Sequence, residues 1–255
     1  MTGRRTIVVT LLALLALGGV ATSAPASSGG AAPGVLTLPD GSSVVVRLGN
    51  PLVQASGEGI ALAMRSTAML RGRVRIAGTA PRGSGTVSIE RRGEAGGWLL
   101  VASAAVAADG SFTALWRPNR VGAAQLRAVS GAAAAGVAAD DPRAPQLGVS
   151  VYRPGIASWY ESTSRDETTA CGVPLQRWTL GVAHRTLPCG TPVALYYKGR
   201  SIVVPVIDRG PFVKGRTWDL TRATYDALAG DDGLIRVGAL PIVPTRPPTA
   251  ARAGR

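Results

Sequence analysis

The stretch Val204-Pro205-Val206-Ile207-Asp208-Arg209-Gly210-Pro211-Phe212-Val213-Lys214-Gly215-Arg216-Thr217-Trp218-Asp219-Leu220-Thr221 decides the reading of the C-terminal half. It opens as a β-branched run and breaks at Gly210-Pro211, where glycine frees the backbone and proline removes a donor. Asp208 ends the run, and Asp219 follows it eleven residues later, just ahead of a helical pattern. Residues 221–229 read as that helix, with Thr221 as N-cap and Gly230 as the stop. Pro205 cannot donate to a ladder, so an edge, a crossover or a bulge is expected there.

Around this stretch, residues 156–160, Pro192–Tyr197 and 201–207 read as strands, and 234–240 as a closing strand. Several strands and one helix within 155–241 make a compact barrel-like unit. Upstream, 36–152 carries short β-prone runs at Ser43–Leu48, 60–64, 73–77, 86–91, 98–102, Ser111–Trp116 and 125–129, divided by Gly, Pro and Asp turns. In Arg73-Val74-Arg75-Ile76 and Thr86-Val87-Ser88-Ile89-Glu90 apolar and polar residues alternate, as half-buried strands require. Such spacing suggests an immunoglobulin-like β-sandwich. Its last strand is placed at 146–152, followed by a short linker at Arg153-Pro154-Gly155. The expected fold class is mainly β.

The first 26 residues read as a signal peptide. Arg4 and Arg5 precede an apolar stretch at 6–20, and Ala24-Pro25-Ala26 offers small residues for cleavage. A membrane anchor is the alternative, and the stretch is short for one. No cysteine follows the apolar stretch, which argues against a lipid anchor there. Residues 27–35 read as a flexible spacer and 242–255 as a disordered tail. The expected location is extracytoplasmic, secreted or wall-associated. Cys171 and Cys189 are the only cysteines. In an oxidising compartment they are expected to pair, at a gain of about 3 kcal/mol for such a loop; two free thiols are the alternative.

Net charge is +13, and +11 once Arg4 and Arg5 are set aside with the leader. This suits an anionic partner such as a wall polymer, an acidic glycan or a membrane surface. Of the 28 basic residues 26 are arginine, a bias that genome base composition also explains. They are scattered, and aromatics do not interleave with them, which disfavours nucleic acid. His184 is the single histidine, too few for a usual zinc site. No metal and no cofactor are expected.

Gly155-Ile156-Ala157-Ser158-Trp159-Tyr160, Ala183-His184-Arg185-Thr186-Leu187-Pro188-Cys189-Gly190-Thr191 and Asp208-Arg209-Gly210-Pro211-Phe212 together resemble the rare lipoprotein A family. Its members are double-psi β-barrel proteins of the bacterial cell wall, known as septal lytic transglycosylases. The resemblance implies a six-stranded double-psi β-barrel with one short helix over 155–241, acting on peptidoglycan glycan strands. Thr169-Ala170-Cys171-Gly172 with Leu187-Pro188-Cys189-Gly190 looks like the cysteine-containing actinobacterial branch. The chain departs from the family where Thr-Ala-Asn-Gly-Glu becomes Thr169-Ala170-Cys171-Gly172-Val173, and where a family aspartate aligns with Gln176.

In a lytic transglycosylase a carboxylic acid protonates the leaving glycosidic oxygen. The same group then takes the proton of the sugar's own 6-hydroxyl, and no water is used. The spacing of Asp208 and Asp219 resembles the aspartate pair of the membrane-bound lytic transglycosylase A family, whose second aspartate is the acid. Thr217-Trp218-Asp219-Leu220-Thr221 also looks like the His-Phe-Asp-Leu-Ser block of expansins and related endoglucanases. These likenesses imply Asp219 as principal acid, Asp208 as its partner and His184 as a groove residue. The plain alternatives are a helix-start carboxylate for Asp219, a turn or ion-pair carboxylate for Asp208, and a structural histidine. Tyr160, Glu161, Arg209 and Trp218 are expected on the substrate side. Glu161 follows Trp159-Tyr160 as a catalytic base follows Tyr-Trp in the endoglucanases, and Tyr160 and Trp218 are placed to stack on sugars. Barrel core for the aromatics and an exposed loop for Glu161 are the alternatives. The expected function is lytic transglycosylation. Its rival is an expansin-like wall-binding module without activity.

Overall fold

The structure is a computed structural model that describes residues 34–37, 43–48, 50–131, 142–164, 167–230 and 233–242. The expected leader, most of the spacer, the stretch 132–141 and the tail from 243 lie outside the described residues. In chain order the strands are β1 (Gly34–Thr37), β2 (Ser43–Leu48), β3 (Leu52–Gly57), β4 (Ile60–Arg65), β5 (Thr67–Met69), β6 (Val74–Thr79), β7 (Thr86–Arg92), β8 (Trp98–Ala105), β9 (Ser111–Trp116), β10 (Gly122–Ser130) and β11 (Gln146–Tyr160). Then follow β12 (Val182–Ala183), β13 (Pro192–Tyr197), β14 (Arg200–Asp208), β15 (Trp218–Thr221), the helix α1 (Arg222–Leu228) and β16 (Ile235–Pro241).

Alternation builds the N-terminal unit. In β4, Ile60, Leu62 and Met64 are buried while Ala61 and Arg65 are exposed, so one face of the strand turns inward. One sheet runs β3-β4-β6-β9. The other runs β11-β10-β7-β8, with β5 alongside β11. Ile60, Leu62, Ile76, Ile89, Leu126 and Val149 meet in the shared core. For this unit we propose the immunoglobulin-like arrangement, on the strength of two sheets facing one core.

Six strands close the C-terminal unit into a barrel. Its ladders join β14 to β12, β12 to β15, β15 to β11, β11 to β16, β16 to β13, and β13 back to β14. The β11–β15 and β12–β14 pairs are parallel. Closure leaves no unpaired edge within the ring. Val182, Val193, Leu195, Val204, Leu220 and Val237 fill its interior. Pro205 is the last β14 residue paired with β13, and Val206 the first paired with β12. Proline thus falls at a change of partner, the crossover expected from its missing donor. Thr221 caps α1 by accepting from the Thr224 amide, and Tyr225 and Leu228 bury the helix against the barrel. Gly181 has no room for a side chain, since a Cβ there would lie 2.4 Å from Ile207 Cδ1.

Three expectations are corrected. No linker separates the units at 153–155, because β11 runs unbroken through it. The strand exchanges partners instead: β10 and β5 up to Tyr152, β16 from Arg153 to Ala157, then β15. Ladder hydrogen bonds therefore remain available along its whole length. The second correction concerns β2, which was read with the sandwich and instead pairs with β14 of the barrel sheet. Finally, Gly34 and Val35, assigned to the spacer, belong to β1, which pairs with β2.

Candidate functional site

One row of residues crosses four strands at the same level. Ser158 of β11 pairs with Asp219 of β15, Asp219 with Ala183 of β12, and Ala183 with Asp208 of β14. Asp219 alternates with the buried Trp218 and Leu220, so its side chain faces away from the barrel interior. A register shift between Val182 and Ala183 brings Asp208 level with Ala183. Regular alternation from the interior residue Val206 would have turned it inward. The two Cα atoms are thus two strand spacings apart, about 10 Å.

Asp219 is half-buried, and its Oδ1 accepts a 2.7 Å bond from Ser158 Oγ. Arg216 Nη1 donates to the same hydroxyl at 3.1 Å. Desolvation pushes the Asp219 pKa above the ordinary carboxylate value, and the Asp208 charge pushes the same way. The Ser158 bond and Arg216 oppose this shift without cancelling it. Asp208 is anchored differently. Its Oδ1 accepts from the amides of Ala170 at 2.9 Å and Arg209 at 2.8 Å. The loop carrying Ala170 is further tied by Cys171 N donating to Ile207 O and by the Cys171–Cys189 disulfide, whose Cα atoms are 5.8 Å apart.

Tyr160 reaches the same groove. Burial first, then the charges of Asp208 and Asp219, and last that of Glu167, push its pKa far above the ordinary phenol value. Its hydroxyl faces the Asp208 carboxylate without completing a sound hydrogen bond, and remains buried and unsatisfied. His184 donates its backbone amide to Asp208 O at 3.1 Å. Its Nδ1 accepts from the amides of Leu187 at 3.0 Å and Thr186 at 3.3 Å. Two donors on Nδ1 fix the neutral ring with its proton on Nε2. Burial, then Arg185 and Arg209, lower its pKa below the usual value. The ring therefore offers a hydrogen-bond donor rather than a base.

Two expected substrate contacts are corrected. Trp218 is 4% exposed, and its ring packs 4.6 Å from that of His184, so no sugar can stack on it. It lies on the interior phase of β15. Arg209 turns its guanidinium toward the loop at 184–189, donating to the carbonyls of His184 and Leu187 and to Cys189 Sγ. Those bonds brace the loop instead of facing the groove. Glu161 is exposed at the end of β11. The glutamate whose charge reaches Tyr160, after those of Asp208 and Asp219, is Glu167, which accepts from Thr163 N at 2.8 Å and Ser162 Oγ at 3.2 Å. No periodicity or spacing marked Glu167, because only the folding-back of the segment after β11 brings it there. Arg185 clamps the turn after Asp208 through Pro211 O at 2.6 Å and Arg216 O at 2.5 Å. Phe212 stands 82% exposed on that turn.

Comparisons with known proteins agree with this barrel. Residues 153–242 match the family described as lytic transglycolase. The chain is 40% identical over 92 residues to the probable endolytic peptidoglycan transglycosylase RlpA of Aquifex aeolicus, covering 35% of this chain and 39% of that protein. It is 45% identical over 76 residues to the endolytic peptidoglycan transglycosylase RlpA of Yersinia pestis, covering 29% of this chain and 21% of that protein. The C-terminal unit is thus an RlpA-like double-psi β-barrel, and the chain spans under two fifths of the length of these relatives. Among solved structures, the Streptomyces papain inhibitor aligns with 34% of this chain and 91% of its own at 28% identity, with a TM-score of 0.28 that bears no weight.

Proposed function

We propose that this protein is an exported wall enzyme that cleaves peptidoglycan glycan strands by lytic transglycosylation. The observation that carries the reading is the Ser158–Asp219–Ala183–Asp208 row, with Asp219 held at a raised pKa. The named activity of the relatives supports it. A carboxyl group whose pKa is raised keeps its proton nearer neutrality, as a general acid must. Asp219 gives that proton to the leaving glycosidic oxygen as the C1–O bond breaks. The sugar's 6-hydroxyl then bonds to C1, and its proton returns to Asp219. Asp208, across Ala183, is the partner charge that stabilises the cationic sugar. His184 donates from Nε2 to a sugar hydroxyl, and the unsatisfied Tyr160 hydroxyl is a second donor.

The rival, an expansin-like binder, is favoured by Val173. Val173 meets Thr169 through its own backbone, accepting from the Thr169 amide and donating to Thr169 Oγ1, and brings no carboxylate where the resembling family has a glutamate. The test is incubation of purified peptidoglycan with the protein, followed by mass spectrometry. Anhydro-muropeptides made by the native chain and missing with Asp219→Asn support the enzyme. Sedimentation with the wall and no new products leaves the rival.

A further inference from the structure

The N-terminal unit holds a cleft of about 540 Å³ that the barrel chemistry does not use. Arg91, Arg92 and Arg120 line it together with one acid, Glu94. Glu94 is already paired with Arg120. Arg91 spends Nη1 on the Arg92 carbonyl at 2.9 Å, and its Nε is buried with no partner. The Nε side of the guanidinium is therefore unspent. Turned into the cleft by a side-chain rotation, that edge would donate two parallel bonds to a carboxylate, the arrangement arginine makes best. An unpaired buried donor costs stability unless a ligand or solvent satisfies it.

Two more features say what is attached to the carboxylate. Strand β10 pairs with β7 only from Leu126 onward, so Ala123 to Gln125 are laddered on one side, by β11. Their opposite backbone edge lines the cleft and presents amide donors and acceptors. Beside it, Gln125 Nε2 donates to Gln146 Oε1 at 2.7 Å, which leaves the Gln125 carbonyl and the Gln146 amide for a ligand. Gly148 also lines the cleft, and a Cβ there would meet nothing within 4 Å. Its glycine keeps the space open without serving a tight turn. Trp116 and Leu147 supply apolar wall.

We propose that this cleft binds a short extended peptide by its carboxylate, with Arg91 as the fork and the β10 edge as the backbone partner. In the wall reading above, the peptide stems of peptidoglycan are its source, and the N-terminal unit anchors the chain on the wall. The recognition chemistry itself is independent of whether the barrel cleaves.

The experiment titrates the full chain against a fluorescent, N-acylated wall-stem pentapeptide, as the free acid and as the C-terminal amide, at low and at about 0.5 M salt. The free acid is expected to bind, more weakly in high salt, and the amide at least about tenfold more weakly, the loss expected for a charge-assisted pair. Arg91→Gln should cost a similar factor. Gly148→Leu, which fills open space, should abolish binding while leaving the melting temperature near native. Asp208→Asn and Asp219→Asn should bind the peptide as the native chain does, whatever becomes of cleavage. Equal binding of acid and amide, or none, overturns the proposal. So does loss of binding in the aspartate variants, which moves the site to the barrel. A poly(glycerol phosphate) probe binding more tightly than the peptide also overturns it in favour of a phosphate polymer.

Discussion

Asp208 and Asp219 are both register partners of Ala183, one from β14 and one from β15, so a single alanine separates the two carboxylates across the groove. Ala183 is buried and small, which keeps the space between them clear of side chain. Their eleven-residue separation along the chain is spent on the turn clamped by Arg185.

Substituting the carboxylates should separate their roles. Asp219→Asn keeps the acceptor for Ser158 and removes the acid, and is expected to slow anhydro-muropeptide release by about 10²–10⁴-fold. Asp208→Asn should slow it less, because it alters charge without removing the proton donor. Rates on purified glycan strands check both, and equal losses would contradict the assignment of Asp219 as acid.

The pH profile should report the Asp219 proton. Its pKa is raised, so the acid form persists to higher pH, and the rate falls as pH rises through the folded value. Ser158 and Arg216 both favour the ionised form. Ser158→Ala should therefore move the falling limb to higher pH, and Arg216→Gln should do the same. A limb left in place by both changes would show that another group supplies the proton.

Stability carries the same sign. A carboxyl group whose folded pKa exceeds its unfolded value contributes stability below the unfolded value, lost as pH rises through the folded one. Asp219→Asn should thus melt higher than the native chain at neutral pH, by less than about 1 kcal/mol because the group is only half-buried. The difference should vanish in acid, below the ordinary carboxylate value of 3.8. Thermal melts across pH measure it.

His184 is the chain's single histidine, so its imidazole signals need no assignment by mutation. Nitrogen-15 spectra should show the neutral ring protonated at Nε2, with a midpoint below the ordinary 6.5. The neutral form is the one the fold favours. Its contribution to stability is present above 6.5 and lost as pH falls toward the folded midpoint. A proton found on Nδ1 would refute the bonds from Thr186 and Leu187.

The Cys171–Cys189 link closes a separation of 18 residues and holds the loop that donates Ala170 N to Asp208. Replacing both cysteines with serine should destabilise the chain by about 2–4 kcal/mol. Activity should fall further than stability explains at a temperature where the variant is folded, because Asp208 loses a fixed donor. Calorimetry alongside product release separates the two effects.

Much of this was legible in the chain. The β-prone run at 60–64 and the alternation in 73–76 and 86–90 marked strands that the structure contains, since a half-buried strand repeats every two residues. Thr221 announced its helix because a cap acts on amides three residues away. The cysteine pairing was expected from an oxidising compartment, and the barrel from motifs that resemble a known family. The strands β1, β5, β12 and β15 escaped, because two to four residues carry too little periodicity to stand out, and so did β3, none of whose six residues is fully buried.

The sequence by itself determined a mainly β chain and offered candidates for the chemistry: two aspartates, one histidine and a cysteine pair. The strands follow from residue type and local period, which act over a few positions, and the candidate residues from the resemblance of their motifs to a known family. Tertiary structure decided how they are arranged. Closure of the six-stranded ring put Ser158, Asp219, Ala183 and Asp208 in one row, although they come from four strands. It buried Trp218, turned Arg209 onto the loop at 184–189, and brought Glu167 within reach of Tyr160. It also carried β11 through a supposed linker by changing its partners. Strand partners and burial are set by contacts between distant segments, and no local pattern encodes which distant segment will arrive.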